Sequence, residues 1–177
     1  NGSLTGDNIS FSNVCTDTRS LQKGDLFFAL KGDSFDANEF IKKAKERGAV
    51  AAVVSKESDV LPYVLVDDTT KALGKLAQAE RGKANAPVVA ITGSNGKTSV
   101  KEMLLAILKQ SFNVLATKGN LNNHIGVPLT LLRLTKEHEI AVIEMGASHA
   151  GEIAYLCELA KPDFSVINNI GEAHLEG

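Results

Sequence analysis

Residues 88–100, VVAITGSNGKTSV, constrain this chain more than any other stretch. Val88, Val89 and Ile91 make an apolar, β-branched run that stops at Thr92-Gly93, passes through Gly96-Lys97-Thr98 and enters a helical pattern. Strand, glycine loop and helix in that order turn backbone N–H groups toward one point beside the positive end of the helix dipole, where Lys97 adds a full charge. Such a loop holds a polyphosphate, which makes Gly93, Ser94, Asn95, Gly96, Lys97, Thr98 and Ser99 the candidate phosphate-binding residues. The usual phosphate loop reads G-x-x-x-x-G-K-[ST]. Here Ile91 takes the place of the first glycine and Gly93 follows two residues later, so the loop is shorter. A tight turn with Lys97 as a surface charge is the plainer alternative, and the coincidence of three signals argues against it.

Beyond the loop, Val100, Met103, Leu104, Ile107 and Leu108 recur at helical spacing, which predicts that this face packs on a sheet. Residues 112–116 read as a strand, 127–134 as a short helix, 140–144 as a strand, 153–160 as a helix and 164–167 as a strand. This alternation builds a parallel sheet, and ligands of such sheets sit at the carboxyl ends of the strands. Glu144, Asn168, Asn169 and His174 all lie at or just beyond strand ends. Thr98 and Glu144 supply the hard oxygen ligands that suit magnesium, although Glu144 also reads as a solvated strand end. His174 reads equally as an exposed loop residue or as a ligand of a second metal. His124, His138 and His149 read as surface or packing residues. Between Gly119 and Gly126, the asparagines Asn120, Asn122 and Asn123 suit a polar ligand, but by composition alone they suit plain turns better.

Earlier in the chain, residues 25–30, 49–54 and 63–66 read as strands. Asp36 and Glu39 stand at capping-box spacing before a helix that stops at Gly48. Asp67 and Asp68 precede a helix carrying Leu73, Leu76 and Ala77, and capping explains them more simply than metal ligation. Residues 16–19 and 31–36 flank the first of these strands without a decisive pattern. The polar stretch 81–87, RGKANAP, reads as a linker and places the boundary between domains 1–84 and 85–177.

A formal net charge of −2 provides no field for nucleic acid, and no basic cluster is interleaved with aromatics. Cys15 and Cys157 make no metal spacing, so two reduced thiols in a cytoplasmic protein are expected. No apolar run approaches the roughly 20 residues of a membrane span, and no charged-then-apolar leader opens the chain. It starts Asn1-Gly2-Ser3 without methionine, and a fragment is expected.

Taken together, these residues resemble the Mur ligases, the ATP-dependent amide-forming enzymes of bacterial cell-wall synthesis. The shortened loop Thr92–Thr98 looks like their form of the phosphate loop, and Asp17-Thr18-Arg19 with GDLFFALKGDSFDANEF, GNLNNHIGVPLTLL, VIEMGASHAGEIA and NNIGEAHLEG resemble further stretches of the family. The resemblance implies an α/β fold: a small N-terminal UDP-binding domain followed by the first part of a parallel-sheet P-loop domain. It implies ATP and Mg2+ as cofactors, with UDP-N-acetylmuramoyl-tripeptide and D-alanyl-D-alanine as substrates joined through an acyl phosphate in a cytoplasmic monomer. Thr18 would lie near the uracil, Arg19 would also bind substrate, and Lys31, Gly32, Ser34, Phe35 and Asp36 would lie near the diphosphate. Asn122 and Asn123 would face the muramoyl part, and Asn120 would also bind substrate. Lys97 would hold ATP phosphates, Thr98 and Glu144 one magnesium, and His174 a second, which gives Lys97, Glu144 and His174 catalytic roles. The ligase adding the third peptide residue, a phosphate-loop kinase and a non-catalytic nucleotide-binding module are the alternatives. The family also carries a carbamylated lysine and a third domain, neither of which is in this sequence. The 177 residues alone are therefore expected not to turn over, and an assay for phosphate release dependent on D-alanyl-D-alanine checks this.

Overall fold

The computed structural model describes residues 2–32 and 34–171. It divides into two compact units, Asn1–Leu73 and Gly74–Gly177. The first contains β1 (Gly2–Thr5), β2 (Val14–Cys15), β3 (Leu26–Phe28), a 3-10 turn (Ala37–Phe40) that runs into α1 (Ile41–Glu46), β4 (Ala51–Val54) and β5 (Tyr63–Val66). These strands form one sheet in the order β1-β5-β4-β3-β2, parallel except for β1, which runs antiparallel to β5. Its core gathers Phe27, Ala29, Ile41, Ala44, Ala52, Val54 and Tyr63, the apolar positions that the periodicity marks.

Local chemistry sets the ends of α1. The Asp36 carboxylate accepts the Asn38 amide at 3.0 Å on one oxygen and the Lys56 ammonium at 2.6 Å on the other. Gly48 ends the helical stretch at φ +103°, where an added Cβ would meet Lys23 Cα at 2.7 Å. The sequence reading misses β1 and β2, since β1 is exposed along its length and β2 is two residues long, leaving no alternation to detect.

Helix α2 (Thr69–Arg81) belongs to both units. Asp68 accepts the Lys71 amide at 2.9 Å, the capping role expected of this aspartate pair. At the other end, Arg81 is buried rather than part of a solvated linker. Its guanidinium donates to the carbonyls of Ala160 at 2.9 Å, Ala84 at 3.1 Å and Lys161 at 3.3 Å, and pairs with Asp163 at 3.1 Å. Contacts this far along the chain are invisible to local composition. They bind the end of α2 to the second unit, so the compact units part eleven residues before the boundary at 84/85 that the linker suggests.

The second unit continues with β6 (Val88–Thr92), α3 (Lys97–Leu108), β7 (Val114–Ala116), α4 (Gly126–Leu131), β8 (Ile140–Glu144), α5 (Glu152–Ala160) and β9 (Phe164–Ile167). All four strands are parallel, in the order β7-β8-β6-β9. Val88, Ala90, Leu115, Val127, Leu131, Ile143 and Leu156 form the core. The predicted face of α3 is wrong in part. Met103 and Ile107 are exposed, at 59% and 68%, and Lys101 is fully buried in their stead. Hydrophobic periodicity cannot register a lysine whose stem packs inside while its ammonium finds internal partners. No helix among the described residues is long and apolar enough to cross a membrane.

Replacing Arg81 with Met removes four donated hydrogen bonds and leaves the buried Ala160 carbonyl unpaired. Urea unfolding followed by circular dichroism should show a loss of about 2–3 kcal/mol.

Candidate functional site

Strand register brings three chain ends to one place. Ile91 lies opposite Glu144 on one side and Val166 on the other, so the loop after β6, the last residue of β8 and the residues after β9 share one edge of the sheet. Gly96 adopts φ +76° immediately before α3, and a Cβ there would meet the Asn168 side chain at 2.6 Å. The first intrahelical bond runs from the Val100 amide to the Gly96 carbonyl at 3.0 Å. Helix geometry therefore leaves the amides of Lys97, Thr98 and Ser99 at the open N-terminus. Ser94 and Asn95 differ from expectation: their amides are taken by the Asn169 carbonyl at 3.2 Å and its side-chain oxygen at 2.9 Å. Asn168 and Asn169 donate to the Asn95 carbonyl at 2.6 and 3.1 Å, while Ser94 Oγ accepts the Gly171 amide at 2.9 Å. One half of the loop is thus pinned from outside and the other half presents donors.

Lys97 folds back to donate to the Gly93 carbonyl at 2.6 Å and the Ser94 carbonyl at 3.3 Å. It lines a cavity of about 410 Å³ together with Gly93, Ser94, Ser148, His149 and Asn169. His149, read from sequence as a surface or packing residue, therefore belongs to this cavity. Its loop is held by Glu152, whose carboxylate accepts the Ser148 amide at 2.6 Å and the His149 amide at 3.1 Å. Those two bonds, Ser148 first, hold the Glu152 carboxyl below its ordinary value.

Glu144 is not a solvated strand end, since it is 1% exposed. Its Oε1 accepts from Thr98 Oγ1 at 3.2 Å and from Asn122 Nδ2 at 2.8 Å, and its amide donates to Thr117 Oγ1 at 3.0 Å. Oε2 is buried without a hydrogen-bond partner among the described residues, and Lys101 Nζ stands 3.6 Å away. An unpartnered buried carboxylate oxygen beside a hydroxyl fits a hard divalent cation. His174 lies outside the described residues.

The asparagine segment divides its labour. Asn122 reaches Glu144, whereas Asn123 Oδ1 accepts the amides of Ile125 and Gly126 at 3.1 and 2.9 Å and closes the turn into α4. Asn120 is exposed, and its carbonyl accepts the Asn122 amide at 2.8 Å. Composition alone finds the turn; the contact with Glu144 comes from 22 residues away.

In the first unit, Thr18, Arg19 and Phe35 line a second cavity, of about 440 Å³, with Phe27, Phe40 and Lys43. Phe35 and Phe40 are stacked, with ring centroids 5.4 Å apart. Arg19 forks onto Asp17, which holds the Asp17 carboxyl low and the Arg19 guanidinium high. Lys31, Gly32, Ser34 and Asp36 are not among the residues lining this cavity. They form the tight turn that presents Phe35, with Lys31 bridged to Asp36 and the Gly32 amide bonded to the Phe35 carbonyl at 2.8 Å. Asp36 is held well below the usual carboxylate range, by Lys56 first and Asn38 second.

Two family models match the chain: Mur ligase family, catalytic domain, over residues 10–91, and Mur ligase middle domain over residues 91–177. Among curated relatives, the UDP-N-acetylmuramoyl-tripeptide–D-alanyl-D-alanine ligase of Escherichia coli is 55% identical over all of this chain and 39% of its own length. The ligase of the same name from Haemophilus influenzae is 51% identical over 98% of this chain and 40% of its own length. Of solved structures, MurF from Acinetobacter baumannii superposes with a TM-score of 0.88 at 45% identity, covering 92% of this chain and 36% of that one. The MurF ligase of Thermotoga maritima in complex with ADP gives 0.83 at 40% identity, covering 92% and 38%. The chain thus spans about two fifths of the length of the curated relatives it matches.

Because the Glu152 carboxyl is held below its ordinary 4.5, its contribution to stability is complete above that pH and is lost as the pH falls through the lowered folded value. Glu152→Gln should lower the thermal midpoint at pH 7 by about 1–3 °C. In midpoints recorded against pH, the gap from wild type should close on acidification.

Proposed function

This chain belongs to the Mur ligase family, and from that premise we propose that the whole protein joins D-alanyl-D-alanine to UDP-N-acetylmuramoyl-tripeptide at the expense of ATP. The observation that carries the proposal is the shared strand edge where a phosphate loop and the buried, half-satisfied Glu144 meet. The likeness in sequence to ligases of that name supports the choice of substrates. We place the reaction in the cytoplasm, with a monomer as the working form, because ATP and nucleotide-linked precursors are made there. Through the cell wall, the reaction serves cell shape and division.

In this reading the second unit holds ATP. The amides at the start of α3 and the Lys97 ammonium bind its phosphates, and Lys97 gives up its bonds to the Gly93 and Ser94 carbonyls to do so. Thr98 and Glu144 hold one magnesium ion, and His174 is assigned to a second. Bound there, magnesium offsets the charge that develops on the transferring phosphoryl group. The tripeptide carboxylate attacks the γ-phosphorus as ADP leaves, and the dipeptide amine then attacks the acyl carbon as phosphate leaves. Both partners of the first step are anionic, so the chain's task is to hold them in line against repulsion. The pinned half of the loop, tied by Asn168 and Asn169, keeps the donors in place before the nucleotide arrives.

The first unit holds the uridine-diphosphate end. Phe35, stacked on Phe40, offers a flat apolar face for the base beside Thr18 and Arg19, and Lys43 places a cation in the same cavity. Lys31, Gly32, Ser34 and Asp36 shape the turn that carries Phe35. Asn120, Asn122 and Asn123 are assigned to the muramoyl part, with Asn122 also touching the metal-binding carboxylate.

Calorimetry with Mg·ATP and, separately, with UDP-N-acetylmuramoyl-tripeptide tests this division. Lys97→Met should weaken nucleotide binding about tenfold or more and leave the sugar-peptide affinity intact. Phe35→Ala should do the reverse, by about tenfold. Nucleotide binding with no affinity for the sugar-peptide would point to a non-catalytic nucleotide-binding module.

A further inference from the structure

Lys101 has no exposed side-chain surface, and the function proposed above gives it no part. Its ammonium donates to the Thr117 carbonyl at 3.1 Å and the Gly119 carbonyl at 3.4 Å, and stands 3.1 Å from Glu102 Oε1. The two carbonyls take two of its protons, and Glu102 adds an opposite charge. Glu144 Oε2, 3.6 Å away, is within ion-pair reach yet receives no hydrogen bond among the described residues. That oxygen is therefore compensated by charge and still open to a ligand. A donor placed squarely on Oε2 would have closed it.

We propose that Lys101 is a built-in counter-cation for the metal-binding carboxylate: it neutralises Glu144 in the nucleotide-free protein and opposes binding of a bare divalent cation. A buried carboxylate without a cation is strongly destabilising, so the nucleotide-free site needs the positive charge. Once a divalent cation sits on Glu144, the same charge repels it from a few ångströms away. Lys97, the neighbour of Thr98 in the chain, is turned onto the loop carbonyls and adds a second positive charge to the loop. A bare cation therefore binds weakly. A cation arriving with a nucleoside triphosphate brings negative charge that offsets both lysines, so metal and nucleotide load together. This inference rests on the reading of Thr98 and Glu144 as metal ligands.

Mn2+ is the probe, followed by electron paramagnetic resonance of the free ion and by thermal unfolding. The proteins are the 177-residue chain, Lys101→Met and the double variant Lys101→Met with Glu144→Gln. Lys101→Met should bind Mn2+ alone about tenfold or more tightly than wild type does. Its midpoint without metal should fall by roughly 5–10 °C and recover most of that on adding Mn2+. The double variant should keep only the smaller drop that comes from the lost Thr117 and Gly119 bonds, and should lack the recovery and the Mn2+ binding. Lys101→Gln, which keeps an N–H donor for the Thr117 carbonyl and drops the charge, should move affinity in the same direction and serves if the Met variant does not fold. Unchanged or weaker Mn2+ binding in the Met or Gln variant, with a midpoint that Mn2+ does not restore, overturns the proposal and leaves Lys101 as a tie between α3 and residues 117–119. Absence of Mn2+ binding to wild type even with ADP, and to every variant, overturns instead the metal role of Glu144 on which the inference depends.

Discussion

A carboxylate held out of water at the end of β8 is the constraint around which the second unit is arranged. Glu144 is 1% exposed, and a buried charge persists only where neighbouring groups replace the water it has lost. Those groups come from separate segments: Thr98 and Lys101 from α3, Asn122 from the loop after β7, and the Thr117 hydroxyl on the Glu144 amide. Satisfying one side chain therefore fixes the start of α3, the end of β7 and the asparagine segment against one another. The parallel order β7-β8-β6-β9 makes this possible, because it places the ends of β6 and β8 side by side.

The phosphate loop depends on the same edge of the sheet from its other flank. Asn168 and Asn169, directly after β9, bind Ser94 and Asn95 and leave the amides at the start of α3 uncommitted. A loop tied in this way pays little ordering cost when a ligand arrives. Gly96 serves both ends, since its positive φ opens the helix and its missing Cβ admits the Asn168 side chain. The first unit uses a similar device on a smaller scale, with the bridge between Lys31 and Asp36 flanking Phe35, which stacks on Phe40.

Much of this was legible from local pattern. The apolar run Val88–Thr92 breaking into glycines and a helix is a short-range signal, and the helices and buried strands of both units follow the same rules. Errors cluster where a polar residue does the work of an apolar one. Lys101 fills a core position on α3, so the buried stripe runs through it and leaves Met103 and Ile107 outside. Arg81 reads as the first residue of a linker because its four acceptors, at Ala84, Ala160, Lys161 and Asp163, lie three or about eighty residues away. His149 escapes notice because only the fold of residues 147–150 over the loop brings it to the cavity.

By itself the sequence determined the α/β alternation, the position of the phosphate loop and the kinship with the Mur ligases. Each of these rests on near neighbours or on motifs read in one pass. Tertiary structure alone decided that Glu144 is buried with one open oxygen, that Lys101 stands behind it, and that Asn122 reaches it while Asn123 closes a turn. The physical reason is that a buried polar group takes its meaning from what satisfies it, and those partners come from chain segments that only folding brings together.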